Sequence, residues 1–287
     1  MTDESKGNLA ETIEVAVQAA EETVRHPLTK RLARWGFYTK GFLFIVIGLL
    51  ALLVAIGERE GKLAAPAGAL ATVARLPYGK ILLILFIVGA VGHGVWNILR
   101  GVADIDNAGK GVRGIAQRII AAGIGIFYLG LSYAALSLLV TSQAAYTDET
   151  IPKTLTAVIL ALPLGTILMV LVGLGVVGAG VHECYSGISG KFKKNFKLYE
   201  VERPDRKFIT LLGVLSFTAR ALIFILIGYF FIMAAIEYNP NEAVGLDGAL
   251  KTLAQSYYGK SLLFITATGL TCHGILSLYE ARYRRLC

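Results

Sequence analysis

The sequence predicts an all-α, polytopic membrane bundle: six transmembrane helices built as three tandem helix-hairpin repeats of the same orientation. Three observations lead to this. Hydrophobic residues make up 55% of the 287-residue chain and charged residues only 17%, against roughly 25% in soluble domains. Six separate stretches reach the roughly 20 apolar residues that a bilayer core demands of a helix. One block of sequence returns 180 residues later without a gap.

Residues 1–31 form a cytoplasmic segment with no apolar stretch that could act as a signal peptide. Within it, Leu9, Ile13, Val17, Ala20 and Val24 recur at helical spacing, and Glu11, Glu14, Glu21 and Glu22 occupy the other side. Asn8 with Glu11 resembles a capping box, and His26-Pro27 supplies a stop. An acidic amphipathic helix over 8–25 disfavours anionic lipid. It fits docking on protein, either the basic loop of the same chain or another membrane subunit.

The spans are expected at about 37–56, 81–99, 119–140, 164–181, 217–236 and 261–278, with Pro163 at the start of the fourth. If they are threaded through a bilayer, 21 Lys and Arg fall on the side of the termini and 7 on the other. That bias places both termini in the cytoplasm. It also accounts for the net charge of +8 without nucleic acid as a partner. Trp35, Tyr38, Tyr78, Tyr185, Tyr257, Tyr258 and Tyr279 fall at span ends, where aromatic belts form. Cys184, Cys272 and Cys287 have no zinc or disulfide spacing.

The repeat is legible in "GALATVARLPYGKILL" (68–83) and "GALKTLAQSYYGKSLL" (248–263). At that offset Lys40 maps to Arg220, Gly48 to Gly228, Gly89 to Gly269 and His93 to His273. A weaker middle copy matches "LPLGTIL" (162–168) to "LPYGKIL" (76–82), and aligns Gly41 and Gly48 with Gly123 and Gly130, which puts Ala122 at the Lys40 position. Repeats are assigned to 32–104, 105–190 and 208–287, with a basic linker at 191–207. Parallel repeats favour a pseudo-threefold axis along the membrane normal. Ala69, Leu70, Val73 and Leu76, echoed by Ala249, Leu250, Leu253 and Ala254, suggest short amphipathic pieces along the outer interface.

Three stretches together, "LARWGFYTKGFLFIVIGLLAL" (32–52), "GALATVARLPYGKILL" and the terminal "GILSLYEARYRRL" (274–286), resemble the bacterial "domain of unknown function 1206" family. The resemblance runs from Leu32 to the end. It implies a six-span inner-membrane protein and transfers no catalytic residue.

The second span of each repeat carries polarity on one face, since residues at i, i+4, i+8 and i+11 align. That face has Gly89, His93, Asn97 and Arg100 in the first copy, Gly175, Ala179, Glu183 and Ser186 in the second, and Gly269, His273, Ser277 and Glu280 in the third. Polar groups are expensive in lipid, so the stripe is expected to face protein or water. Under threefold symmetry the stripes would converge, with Arg100 meeting Glu183 or Glu280 and the two histidines approaching each other. Interhelical packing is the plain reading. No cofactor is required, and the one the pattern admits is a haem or other tetrapyrrole between His93 and His273. A proton or ion route along the stripe is the other functional option.

Lys40 and Arg220 are expected to reach lipid headgroups, with a pairing to Glu280 as the alternative, and Lys191, Lys193, Lys194 and Lys197 of "KFKKNFK" are expected to reach headgroups too. The "GLGVVG" run (173–178) fits a nucleotide fingerprint but lies inside a span with no preceding strand, so helix packing explains its glycines. No HExxH, GxSxG, Walker loop or serine–histidine–acid set is present. The leading functional reading is therefore a non-catalytic scaffold or accessory subunit that binds another membrane component. A small-solute, ion or proton transporter is the first alternative, and a tetrapyrrole-binding electron carrier the second.

Overall fold

The computed structural model describes residues 27–57, 66–105, 109, 111–141, 150–196, 201 and 203–284. The helix expected at 8–25 and Lys197 lie outside them. Among the described residues there are nine α-helices: α1 (Pro27–Ala55), α2 (Pro66–Ala74), α3 (Gly79–Val102), α4 (Val112–Thr141), α5 (Thr150–Leu160), α6 (Gly165–Ile188), α7 (Arg203–Ile236), α8 (Leu246–Gln255) and α9 (Gly259–Tyr283). Six of them, α1, α3, α4, α6, α7 and α9, are long and apolar enough to cross a membrane. Each repeat is a long helix, a short helix at the far end, and a long helix back. The short helix turns into the returning span at Gly79, Gly165 and Gly259. A Cβ at any of these would strike a carbonyl oxygen, that of Val73, Ile159 or Ala254. Pro163 sits in the second of these turns, and α6 begins two residues after it.

First and second spans alternate around the bundle in the order α4, α3, α1, α9, α7, α6. The most extensive packing joins consecutive repeats, α3 on α4, α6 on α7 and α9 on α1. These three contacts are equivalent. A Cβ on Gly94 would lie 2.9 Å from the Gly125 oxygen, one on Gly180 2.9 Å from that of Ala221, and one on Gly274 2.7 Å from that of Gly41. Backbones approach this closely only over glycine, the usual device of membrane helix pairs. The contacts correct the alignment of the middle copy. Gly41 corresponds to Gly125 rather than Gly123, and the place of Lys40 and Arg220 is held by Ile124 rather than Ala122. The error arose because Gly123 and Gly130 reproduce the seven-residue spacing of Gly41 and Gly48, whereas the register of the contacts sets Ser132 in the place of Gly48.

Within repeats, α1 packs on α3 and α7 on α9, but α4 and α6 make no packing of comparable extent among the described residues. The ring is open at that seam. The middle repeat is divided, with α4 attached to the first repeat and α5 and α6 to the third. One apolar cluster joins Leu43 and Ile47 of α1, Leu83 and Phe86 of α3, Leu131 of α4, Ile223 of α7 and Leu270 of α9. The short helices α2 and α8 plug its far end with Leu70, Val73, Leu250 and Leu253. They therefore bury side chains in the core and do more than lie on an interface. Helix α6 adds nothing to this cluster. Its Met169 belongs to a small separate one with Leu160 and Ala235. Only 17% of the most apolar stretch of α6 is buried, against 33–56% for the other five spans.

Candidate functional site

The polar stripe folds into the bundle as pairs between neighbouring helices, not as one axial cluster. The reason is the alternation of spans: α3, α6 and α9 are separated by α1, α4 and α7, so each stripe meets a first span before it can meet another stripe. Glu280 on α9 binds Lys40 on α1 at 3.4 Å and Arg284 at 3.0 Å. Glu183 on α6 binds Arg220 on α7 at 3.1 Å. Arg100 on α3 donates to Oδ1 of Asn97 at 3.4 Å, and the α4 residue in the place of the partner cation is the apolar Ile124. The expected meeting of Arg100 with Glu183 or Glu280 is thus replaced by two ion pairs that cross from one repeat to the next.

Lys40 and Arg220 hold these pairs with side chains 16% and 23% exposed. The Arg220 guanidinium also lies 5.6 Å from the ring centroids of both Phe217 and Phe224. Arg284 covers the Phe37 ring at 4.9 Å. Cations so placed are held by carboxylates and aromatic faces of the bundle, where the sequence suggested lipid headgroups.

His93 and His273 are both buried, and each has its own surroundings. His93 is held edge-on between Phe37 and Tyr128, at centroid distances of 5.2 and 4.6 Å. Its Nδ1 has no hydrogen-bond partner among the described residues. His273 packs edge-on to Phe44 at 4.7 Å, and its Nδ1 shares a 2.7 Å hydrogen bond with the Ser216 hydroxyl. The difference traces to one position of the repeat. Gly36 stands where the third repeat has Ser216, and a Cβ there would collide with His93. One turn on, Asn97 and Ser277 donate to the carbonyls of His93 and His273, each at 2.8 Å. Among the described residues, no three His, Cys, Asp or Glu side chains gather where they could hold a metal ion.

Sequence reasoning missed three features. Arg118, counted only as a topology signal, donates to the carbonyls of Gly101 at 2.7 Å and Val102 at 2.8 Å, capping α3 from α4. Phe192 and Phe196 of the basic loop are buried against Ile209, Leu212 and Leu276. Phe192 stacks on Phe217 at 5.1 Å and seats on Gly213. Lys191 and Lys194 remain exposed beside them, with Lys191 4.4 Å from the centroid of the Tyr185 ring, while Lys193 is half-buried.

The third feature is the open seam. Where repeat pairs are closed, Gly89 meets Thr39 and Gly269 meets Ala219. The equivalent residues of the middle repeat are Gly175 and Gly123, and among the described residues neither would bring a Cβ within 4 Å of another atom. Around them, Ile120 and Phe127 on α4 are 57% and 43% exposed, and Leu168 and Leu171 on α6 are 43% and 59% exposed. The i, i+3 and i+7 spacing places Leu168, Leu171 and Gly175 on one face of α6, and Ile120, Gly123 and Phe127 share a face of α4.

The sequence profile described as Domain of Unknown Function (DUF1206) matches the chain three times, at residues 35–104, 119–190 and 215–284. The chain is 32% identical over 260 residues to an uncharacterised protein, YxxB, of Bacillus subtilis strain 168, covering 91% of this chain and 93% of that one. No solved structure matches.

Proposed function

Given that this chain belongs to the DUF1206 family of triplicated helix-pair proteins, we propose that it is a non-catalytic membrane scaffold or accessory subunit. The seam between α4 and α6 receives a membrane-spanning helix of another component. The reading is carried by one observation: two glycine-bearing apolar faces, covered in the sister repeats, have no cover here among the described residues. Small residues on a transmembrane face allow a second backbone to come close, which is how helices associate where lipid removes the hydrophobic driving force. The bundle sits in a bacterial cytoplasmic membrane with both termini inside, as the Lys and Arg distribution favours.

His273, Glu183 and Glu280 are bound to neighbouring helices, and Asn97, Ser277 and Arg100 bond within their own, which speaks for packing over a transport route. A tetrapyrrole held between His93 and His273 needs both imidazoles turned to a common gap, whereas the two rings have separate aromatic neighbours. The test is photocrosslinking in native membranes from a photoreactive residue at Leu171 or Phe127. A discrete protein adduct that disappears when Gly175 and Gly178 are changed to Leu supports the proposal. Lipid adducts alone, from a folded protein, would contradict it.

A further inference from the structure

The open seam lies opposite one particular contact. In the order α4, α3, α1, α9, α7, α6, the break between α6 and α4 is diametrically across from the packing of α1 on α9. Two halves of three spans each are therefore joined by one extensive line of helix packing, α1 on α9, and by the apolar cluster they share behind it. That line is marked by Gly41 against Gly274, Gly48 against Thr271, and the Lys40–Glu280 pair.

Each half is tied together internally. Arg118 clamps α4 to the end of α3, and Gly94 nests against Gly125. On the other side Gly173, Gly180 and Gly187 fix α6 to α7, and the Tyr238 hydroxyl donates to the Leu160 carbonyl at 2.9 Å, holding α5 there. Neither α4 nor α6 can shift without its neighbours, so any relative movement belongs to the halves.

The sister repeats show what covers the free faces. On α3 and α9 the equivalent face is covered by the first span of the same repeat. For α6 that helix is α4, and the contact position on both helices is glycine. We infer that the bundle is a clamp whose halves rock about the α1–α9 seam, so that α4 and α6 alternate between the open arrangement and a closed one built like α1–α3 and α7–α9. In lipid, meeting of two apolar faces gains packing without a hydrophobic contribution, so the two arrangements differ little in free energy and both are populated. Because α6 contributes nothing to the main apolar cluster, closing brings a helix against α4 without first withdrawing α6 from that cluster. The inference stands apart from the partner reading, since closure needs only this chain.

The test uses full-length protein in lipid nanodiscs with Cys184, Cys272 and Cys287 replaced by Ala. Spin labels at Ile120→Cys and Leu171→Cys, both exposed, report the distance between the jaws. Labels at Leu49→Cys and Ile265→Cys, also exposed, report on the α1–α9 seam. Two distance populations across the jaws and one narrow population across the seam are expected. Oxidation of a Gly123→Cys/Gly175→Cys pair in the membrane is expected to give a disulfide within one chain and to leave only the shorter jaw distance. A single jaw population unaffected by oxidation, or a disulfide that links only separate copies, would overturn the clamp.

Discussion

Gly123 and Gly175 hold the places at which Thr39 meets Gly89 and Ala219 meets Gly269, and among the described residues no atom lies within 4 Å of where a Cβ would stand at either. Within one chain, the same pair of positions is thus closed twice and open once. That asymmetry separates the middle repeat from its sisters, and it organises the expectations that follow.

The glycines of α6 divide into two classes. Gly180→Leu forces a side chain into the Ala221 carbonyl and should destabilise the α6–α7 pair by about 1–3 kcal/mol or more. Gly175→Leu enters open space and should leave stability within about 0.5 kcal/mol of the parent. Thermal unfolding in detergent, followed by far-ultraviolet circular dichroism, distinguishes them. Equal losses would mean that α6 is packed on both faces.

The ion pairs are half-buried, so breaking one side costs more than replacing both. Arg220→Met leaves the Glu183 carboxylate without its cation and should cost about 1–3 kcal/mol, less than for a fully buried pair because of partial exposure. Adding Glu183→Met should recover most of that loss. A double variant as unstable as the single one would show that Arg220 acts through its contacts with Phe217 and Phe224.

The two histidines should respond unequally. His273→Phe strands the Ser216 hydroxyl inside the bundle, whereas His93→Phe strands no hydrogen-bond partner at Nδ1 among the described residues. The His273 variant should be the less stable of the two by about 1–2 kcal/mol, and Ser216→Ala alone should lose a similar amount. An unaffected Ser216→Ala variant would remove the hydrogen bond from the account.

The basic loop is held by its phenylalanines. Phe192→Ala empties the site above Gly213 and beside Phe217, a loss of about 3–5 kcal/mol for a large aromatic side chain. The expected readout is rapid tryptic cleavage at Lys191, Lys193 and Lys194. Changing those three lysines to Gln should instead weaken binding to vesicles rich in anionic lipid and leave the melting temperature unchanged.

Much of this architecture was legible in the sequence. The apolar stretches located all six spans, because a helix in lipid must satisfy its backbone internally and be apolar along its length. The exact 180-residue offset paired Gly89 with Gly269 and His93 with His273 correctly. The middle copy was misaligned by two residues because its matching positions are small apolar side chains that fit either register. The sequence offered Lys40 or Arg220 for Glu280 only as an alternative, and the partner of Glu183 was hidden. Both pairs cross between repeats, and repeat alignment relates equivalent positions without saying which helix sits alongside. The open seam left no trace in the sequence either. Gly173 and Gly175 are two residues apart, of the same type and in the same helix, and only the arrangement of the neighbouring helices makes one packed and the other exposed.

The most direct test of the open seam is the rate of disulfide formation at its three equivalent positions. Cysteine pairs at 39 and 89, at 219 and 269, and at 123 and 175 are compared in membranes under the same oxidant. The first two are expected to cross-link fast and nearly completely. The 123–175 pair should react at least about tenfold more slowly, since it does so only from a less populated closed state. Equal rates at all three would contradict an open ring and place α4 against α6 as in the other repeats.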